Sequence, residues 1–371
     1  MHAVAGCLAA FVLAVAGVLL LTPHAGRFGL VDHPAGRKQH AHPTPLIGGV
    51  AMLVAVILTM LLPSSEVGRA SLGYGAAAIL LTTVGLIDDR VDLSWRLRVV
   101  MQVVAALILV YVGGIRIEQV GNVFGFGSFD LGLLSVPFTV FATVGIINAI
   151  NMVDGVDGLA GSLVLAALGM FAAAAFYVDN GAVLERVVVL AGGVAGFLVF
   201  NLPWPWRRQA RIFMGNAGSA FLGLTIACFA FRLTQSNAHP IGPILALWLI
   251  PVPIMDCLVL MARRLRMGQS PFAADRGHIH HLMQDAGYRA PGIVMALVAF
   301  SLLVGLVAAI ALRAHVPQVF LAAAFAILCV FYYWLTSRHA RAIAFFRALR
   351  PRRLRRELLP VSLLDQERIG D

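Results

Sequence analysis

Oxygen-bearing side chains crowd one stretch of this chain, Asn148-Ala149-Ile150-Asn151-Met152-Val153-Asp154-Gly155-Val156-Asp157-Gly158, which contains no Lys or Arg. On a helix Asn148 and Asn151 share a face, as do Asn151 and Asp154. Hard oxygen donors converging in this way suit Mg²⁺, which takes few protein ligands and completes its shell from water and phosphate. Two Asx turns capping helices would use the same residues without a metal. A second acidic group, Asp88-Asp89-Arg90-Val91-Asp92, places carboxylates side by side. Adjacent carboxylates repel unless a cation or a proton intervenes, so oxygen ligation of a metal and general-base work are both open to them.

Three further segments carry anion-binding chemistry. In Asp32-His33-Pro34-Ala35-Gly36-Arg37-Lys38-Gln39-His40, Arg37 offers a planar fork to phosphate oxygens and Lys38 a point charge. In Met214-Gly215-Asn216-Ala217-Gly218-Ser219 a glycine-rich turn opens an apolar run, an arrangement that presents backbone N–H groups to an anion or simply caps a helix. The last segment has Arg263, Arg264 and Arg266, then Asp275-Arg276-Gly277-His278-Ile279-His280-His281. Three histidines suggest zinc at first sight, but their spacing does not match the His-x-x-x-His face of zinc-binding helices. With Arg276 beside them, phosphate and sugar recognition is the better expectation.

The elements that must position these residues are set by composition. The chain has 371 residues, of which 60% are hydrophobic and 12% charged, and its mean hydropathy is +0.87. A soluble chain is about a quarter charged. A cytosolic enzyme, a disulfide scaffold and a disordered protein are excluded. Four scattered cysteines, Cys7, Cys228, Cys257 and Cys329, show no metal-ligand spacing and read as small buried residues.

Eleven apolar segments are expected to cross a bilayer, at about 3–21, 46–63, 72–87, 97–113, 133–150, 159–178, 186–202, 213–231, 241–260, 291–312 and 318–336, each near the length of about 20 residues that hydrocarbon demands. The expected fold is therefore an all-α polytopic membrane helix bundle. Residues 1–336 form the transmembrane catalytic domain and 337–371 a basic cytoplasmic tail, partly amphipathic and suited to anionic headgroups. The first span reads as a retained helix rather than a signal peptide. Assigned to alternate sides, 23 of the 28 Lys and Arg fall on one face and Arg69, Arg116, Arg186, Arg232 and Arg313 on the other. Positive charge accumulates on the cytoplasmic side, so the amino terminus is expected outside and the carboxyl terminus in the cytoplasm. The net charge of +10 then reports topology and implies no nucleic-acid partner. All five polar segments fall on the cytoplasmic face. A transporter would instead hold its ionisable groups near mid-bilayer.

Together the five segments resemble one family, the polyprenyl-phosphate N-acetylhexosamine-1-phosphate transferases, and within it the bacterial branch that uses undecaprenyl phosphate and UDP-N-acetylglucosamine (UDP-GlcNAc). The resemblance runs from about Asp32 to His281. It rests on Arg37-Lys38-x-His40 with Pro45-x-x-Gly48-Gly49, Asp88-Asp89-x-x-Asp92, Asn148-x-x-Asn151-x-x-Asp154-Gly155-x-Asp157-Gly158, and His278-x-His280-His281.

The resemblance implies transfer of sugar-1-phosphate from a UDP-sugar to a lipid phosphate in the bacterial inner membrane. It implies Mg²⁺ as cofactor, with Mn²⁺ as an alternative. Asp88 and Asp89 would lie at the lipid phosphate, one of them as base or orienting group. Asp154 and Asp157 would position the nucleotide or the ligands, and Asn151 would bind the metal. Asp32, Arg37, Lys38, Asp92, Asn148, Arg264, Arg276, His278, His280 and His281 would hold substrate. At the second metal position the family has an Asp in Phe-Met-Gly-Asp-x-Gly-Ser, where this chain has Asn216. An amide oxygen still coordinates Mg²⁺ but carries no charge, which opens a second reading as a catalytically weak or silent relative that binds lipid or partners. A homo-oligomer and another UDP-N-acetylhexosamine as donor are also compatible with the sequence.

Overall fold

The computed structural model describes residues 2–33, 42–61, 68–204, 207, 209–235, 241–270 and 277–350. In chain order they form α1 (His2–Leu21), β1 (Val31–Asp32), β2 (Thr44–Pro45), α2 (Gly48–Met60), α3 (Arg69–Val91), α4 (Trp95–Tyr111), α5 (Ser135–Val153), α6 (Leu159–Tyr177), α7 (Gly181–Asn201), α8 (Gly215–Thr234), α9 (Ile244–Leu249), α10 (Pro251–Arg266), α11 (Ile279–Asp285), α12 (Ala290–Arg313), α13 (Gln318–Thr336) and α14 (His339–Leu349). The two short strands pair antiparallel, Asp32 opposite Thr44. The described residues are thus an all-α bundle, and eight of its helices are long and apolar enough to cross a membrane.

The apolar segment expected as one helix over 241–260 is broken. α9 stops at Leu249, Ile250 leaves helical geometry with ψ 48°, and Pro251 opens α10. Proline lacks the N–H a continuing helix would use and tolerates only the first turn. α10 then runs past the expected end to Arg266, with Arg263, Arg264 and Arg266 in its last turn. Basic side chains there meet the negative end of the helix dipole. The break places Asp256 and the arginines on an element separate from α9.

α8 is the axis of the bundle. Its apolar stretch is almost wholly enclosed, whereas α1 and α13 leave most of their surface on the periphery. Small residues near its amino terminus let backbones approach closely, as is common between helices in lipid. A Cβ on Gly49 of α2 would lie 2.3 Å from the Gly218 nitrogen, and one on Gly85 of α3 would lie 2.4 Å from the Ala217 backbone. The first and fourth polar segments are also joined by hydrogen bonds. Phe213 N–H donates to Pro45 O (2.8 Å), Gly48 N–H to Phe213 O (3.0 Å) and Gly49 N–H to Met214 O (3.2 Å). Three of the polar segments therefore meet at one end of α8.

Part of the basic tail belongs to the bundle. α14 buries Ala342 and Phe346, and Tyr288 OH donates to Phe346 O at 3.0 Å. Residues 351–371 lie outside the described residues.

Candidate active site

A cleft of about 270 Å³ opens where α3, α4, α5, α8, α10 and the start of α11 converge. Of the residues expected from sequence, Asp88, Asn148, Asn151, Asn216, Arg264 and His278 line it. Trp95, Arg98, Gln102 and Ser219 line it as well. Arg37, Lys38 and Arg276 lie outside the described residues.

The adjacent carboxylates separate into two tasks. Asp88 is buried. It accepts from Leu93 N–H at 2.8 Å and pairs with Arg98 at 3.1 Å. Asp89 turns the other way and accepts from Asn216 N–H (2.8 Å) and Ala217 N–H (3.3 Å), satisfying donors that the start of α8 leaves open. Asp89 thus holds the backbone that carries Asn216. Asp92 is exposed and ends α3 with φ 52°. Asp92 and Asp32 are not among the residues lining the cleft.

The amides assemble as the helical spacing predicts. Asn148 Nδ2 donates to Gln102 Oε1 at 2.7 Å. Asn151 Nδ2 donates to Asn216 Oδ1 at 3.0 Å and to Ser219 Oγ at 2.9 Å. α5 then ends at Val153, and Asp154 is its cap with ψ 48°. Among the described residues nothing donates a hydrogen bond to the Asp154 carboxylate. Burial, reinforced by the charges of Asp89 and Asp157, pushes its pKa up to about 7. Asp157 Oδ2 accepts from Ala210 N–H at 2.8 Å. Buried Asn201, which sequence reasoning missed, clamps this turn: its Oδ1 accepts from Gly158 N–H (3.0 Å) and its Nδ2 donates to Ile212 O (2.9 Å).

These donors fit a hard divalent cation. The Asp154 carboxylate, which feels the charges of Asp89 and Asp157, and the side chains of Asn151, Asn216 and Ser219 supply hard oxygen atoms; Asp89, Asp154 and Asp157 are not among the residues lining the cleft. Among the described residues no three His, Cys, Asp or Glu are grouped closely enough to cage a metal.

The three histidine rings pack against one another but have different surroundings. His278 lines the cleft, and its Nδ1 lies 2.8 Å from Asp256 Oδ2. His280 points inward, 1% exposed. A Cβ on Gly155 would lie 2.3 Å from its Nε2, so a glycine is required where the third and fifth segments touch. Among the described residues its Nδ1 has no hydrogen-bond partner. His281 Nδ1 meets Gln284 Oε1 at 3.1 Å. Neither His280 nor His281 lines the cleft. Asp256 was also missed, although a carboxylate inside an apolar segment is a functional candidate by default.

Burial, then neighbouring His281, lowers the His280 pKa to about 3. An unfolded chain protonates this histidine near 6.5. Between these values the unfolded state binds more protons, so folding stability falls as pH falls through the window, by about 1.4 kcal/mol per pH unit. His280→Gln removes this contribution, so its Tm relative to wild type should rise as pH is lowered from 7.5 to 5.5, as measured by thermal unfolding of both proteins in detergent.

The model of Glycosyl transferase family 4 matches residues 71–234, which include the second, third and fourth polar segments. A curated relative from Yersinia pestis, an undecaprenyl-phosphate α-N-acetylglucosaminyl 1-phosphate transferase, is 33% identical over 93% of this chain and 94% of its own. Proteins of the same name from Escherichia coli K12 and Haemophilus influenzae are 32% identical over 90% of each chain, and 36% identical over 73% of this chain and 76% of the relative. Identity at this level through nearly the whole length, on a cleft where Asp88, Asn151 and His278 converge, places the chain in that sugar-phosphate transferase family.

Proposed function

We propose that this chain transfers N-acetylglucosamine-1-phosphate from UDP-GlcNAc to undecaprenyl phosphate, giving undecaprenyl-diphosphate-GlcNAc and UMP. The observation that carries the reading is the convergence, in one cleft, of a buried carboxylate, the four amides of Gln102, Asn148, Asn151 and Asn216, Arg98, Arg264 and a histidine. The setting is the bacterial inner membrane, with eleven crossings, α9 and α10 together making the ninth. The amino terminus is outside, and the cleft opens to the cytoplasm. The positive-inside distribution supports this topology.

Both reacting phosphates are anionic, so the barrier is largely positional and electrostatic. Arg98 and Arg264 lower the repulsion and orient the two groups. Asn151, Asn216 and the Asp154 carboxylate would hold Mg²⁺, whose chemistry is charge neutralisation on the diphosphate. Asp88 fixes Arg98. Asp89 fixes Asn216. Asp154, whose pKa burial and the charges of Asp89 and Asp157 raise to about 7, would take a proton from the attacking phosphate. Asp157 holds the turn that carries Asp154.

The decisive assay is UMP release by purified full-length protein in detergent. Release should require UDP-GlcNAc, undecaprenyl phosphate and a divalent cation together. No release with all three at saturating levels overturns the reading. A parallel series with other UDP-N-acetylhexosamines sets the donor. Asn216 motivates the second reading, a weak or silent relative, and restoring the family's Asp decides it.

A further inference from the structure

Asp256 is a carboxylate inside the bundle, 2% exposed, to which the transfer chemistry gives no direct task. Such a group is costly unless its lone pairs are filled, and here three donors fill them. His278 Nδ1 lies 2.8 Å from Oδ2. Ile279 N–H, at the start of α11, donates to Oδ1 at 3.1 Å. Tyr332 OH, from α13, donates to the same oxygen at 2.5 Å. The residues come from three separate elements, and only His278 of the three donors reaches the cleft.

We propose that Asp256 and Tyr332 are positioning residues that hold the His278 imidazole with Nδ1 protonated and Nε2 presented to the cleft. A carboxylate only accepts, so the nitrogen facing it must carry the proton. That fixes the tautomer, as second-row carboxylates do for catalytic and metal-bound imidazoles. The ring is also held in orientation. His280 stacks on it with centroids 5.6 Å apart and planes 13° apart, and His280 is itself wedged against Gly155. Tyr332 braces the far side of the carboxylate, and its own ring is buried. The Ile279 hydrogen bond ties the same carboxylate to the backbone next to His278. A rotation of His278 toward the cleft would therefore break the Asp256 pair and the stack together. The inference rests on the reading of the cleft as the donor-sugar site only for its kinetic consequences; the tautomer follows from the geometry.

The test uses the full chain in detergent, with nitrogen NMR of selectively labelled histidine. The His278 signal is assigned by its loss in His278→Gln. Wild-type His278 should show a protonated Nδ1. Asp256→Asn retains an acceptor for Ile279 and Tyr332 but turns an amide N–H toward His278, and should invert the ring to the Nε2-protonated form. An Asp256→Asn spectrum with Nδ1 still protonated overturns the proposal. In UMP release, Asp256→Asn should lower kcat/KM for UDP-GlcNAc by about 10–100-fold. Tyr332→Phe should lower it less, with the KM for undecaprenyl phosphate unchanged in both. The double variant His278→Gln/Asp256→Asn should be no slower than His278→Gln alone, because Asp256 acts through the ring. Additive losses would mean that Asp256 acts elsewhere, and would equally overturn it. If wild-type protein releases no UMP, the transferase reading fails while the spectra still decide the tautomer.

Discussion

Asp154→Asn is expected to lower UMP release by about 10²–10⁴-fold, the range for loss of a group that moves a proton or neutralises charge at the reacting centre. The same variant should be more stable than wild type in metal-free buffer. Burial and the charges of Asp89 and Asp157 hold the Asp154 pKa at about 7, above the value of about 4 in an unfolded chain. The folded state therefore binds the extra proton, and stability is lost as pH rises from about 4 to 7. The amide removes that penalty, so the rise in Tm should be larger at pH 8 than at pH 5. Membrane yield, metal-free Tm and UMP release on one preparation check all three parts. A variant that keeps wild-type turnover would move the chemistry away from this carboxylate. A variant that loses turnover and Tm together would give Asp154 a structural task instead.

Asn216→Asp should act in the opposite direction on metal affinity. It puts a charge where Asn216 Oδ1 now meets Asn151 at 3.0 Å. The Mg²⁺ concentration for half-maximal UMP release should fall by about 10–100-fold, because affinity at oxygen sites follows the charge count. In metal-free buffer the new carboxylate joins Asp89 and Asp154, so Tm should drop, and Mg²⁺ should raise it again. Turnover at saturating Mg²⁺ separates the two functional readings. Wild-type turnover close to that of the variant means the amide suffices. Near-zero wild-type turnover, rescued by the variant, marks a silent relative. If the half-saturating concentration does not move, Asn216 is not a ligand.

The parts of this architecture that could be read from residues alone are those set by period and solvent. Apolar runs gave the long apolar helices, eight of them long enough to cross a membrane. The helical spacing of Asn148 and Asn151 correctly put both amides into one cleft. What escaped depends on where helices stop. Asp154 was expected on the same face as Asn151, but α5 ends one residue earlier and the carboxylate leaves the helix. His278, His280 and His281 were grouped as one binding unit. α11 begins at Ile279, and its rotation per residue sends His280 into the interior while His278 stays at the cleft. Long-range partners were invisible for a different reason. Asn201 clamps Gly158 across 43 positions and Tyr332 meets Asp256 across 76, and no local pattern announces such pairs. The break before Pro251 was legible in principle, since Pro251 and Pro253 both lie inside the apolar run.

The central placement of α8 has a consequence for how this protein fails. Asn216 and Ser219 sit at the mouth of a helix whose body is shut off by its neighbours on every side. Local fraying cannot free such a segment, so its amides exchange with solvent only when the whole assembly comes apart. Heat or detergent damage that unwinds the body of this helix has already dismantled the bundle. Injury at α13 or α14, which lie at the rim, can misalign His278 while leaving the oxygen donors intact.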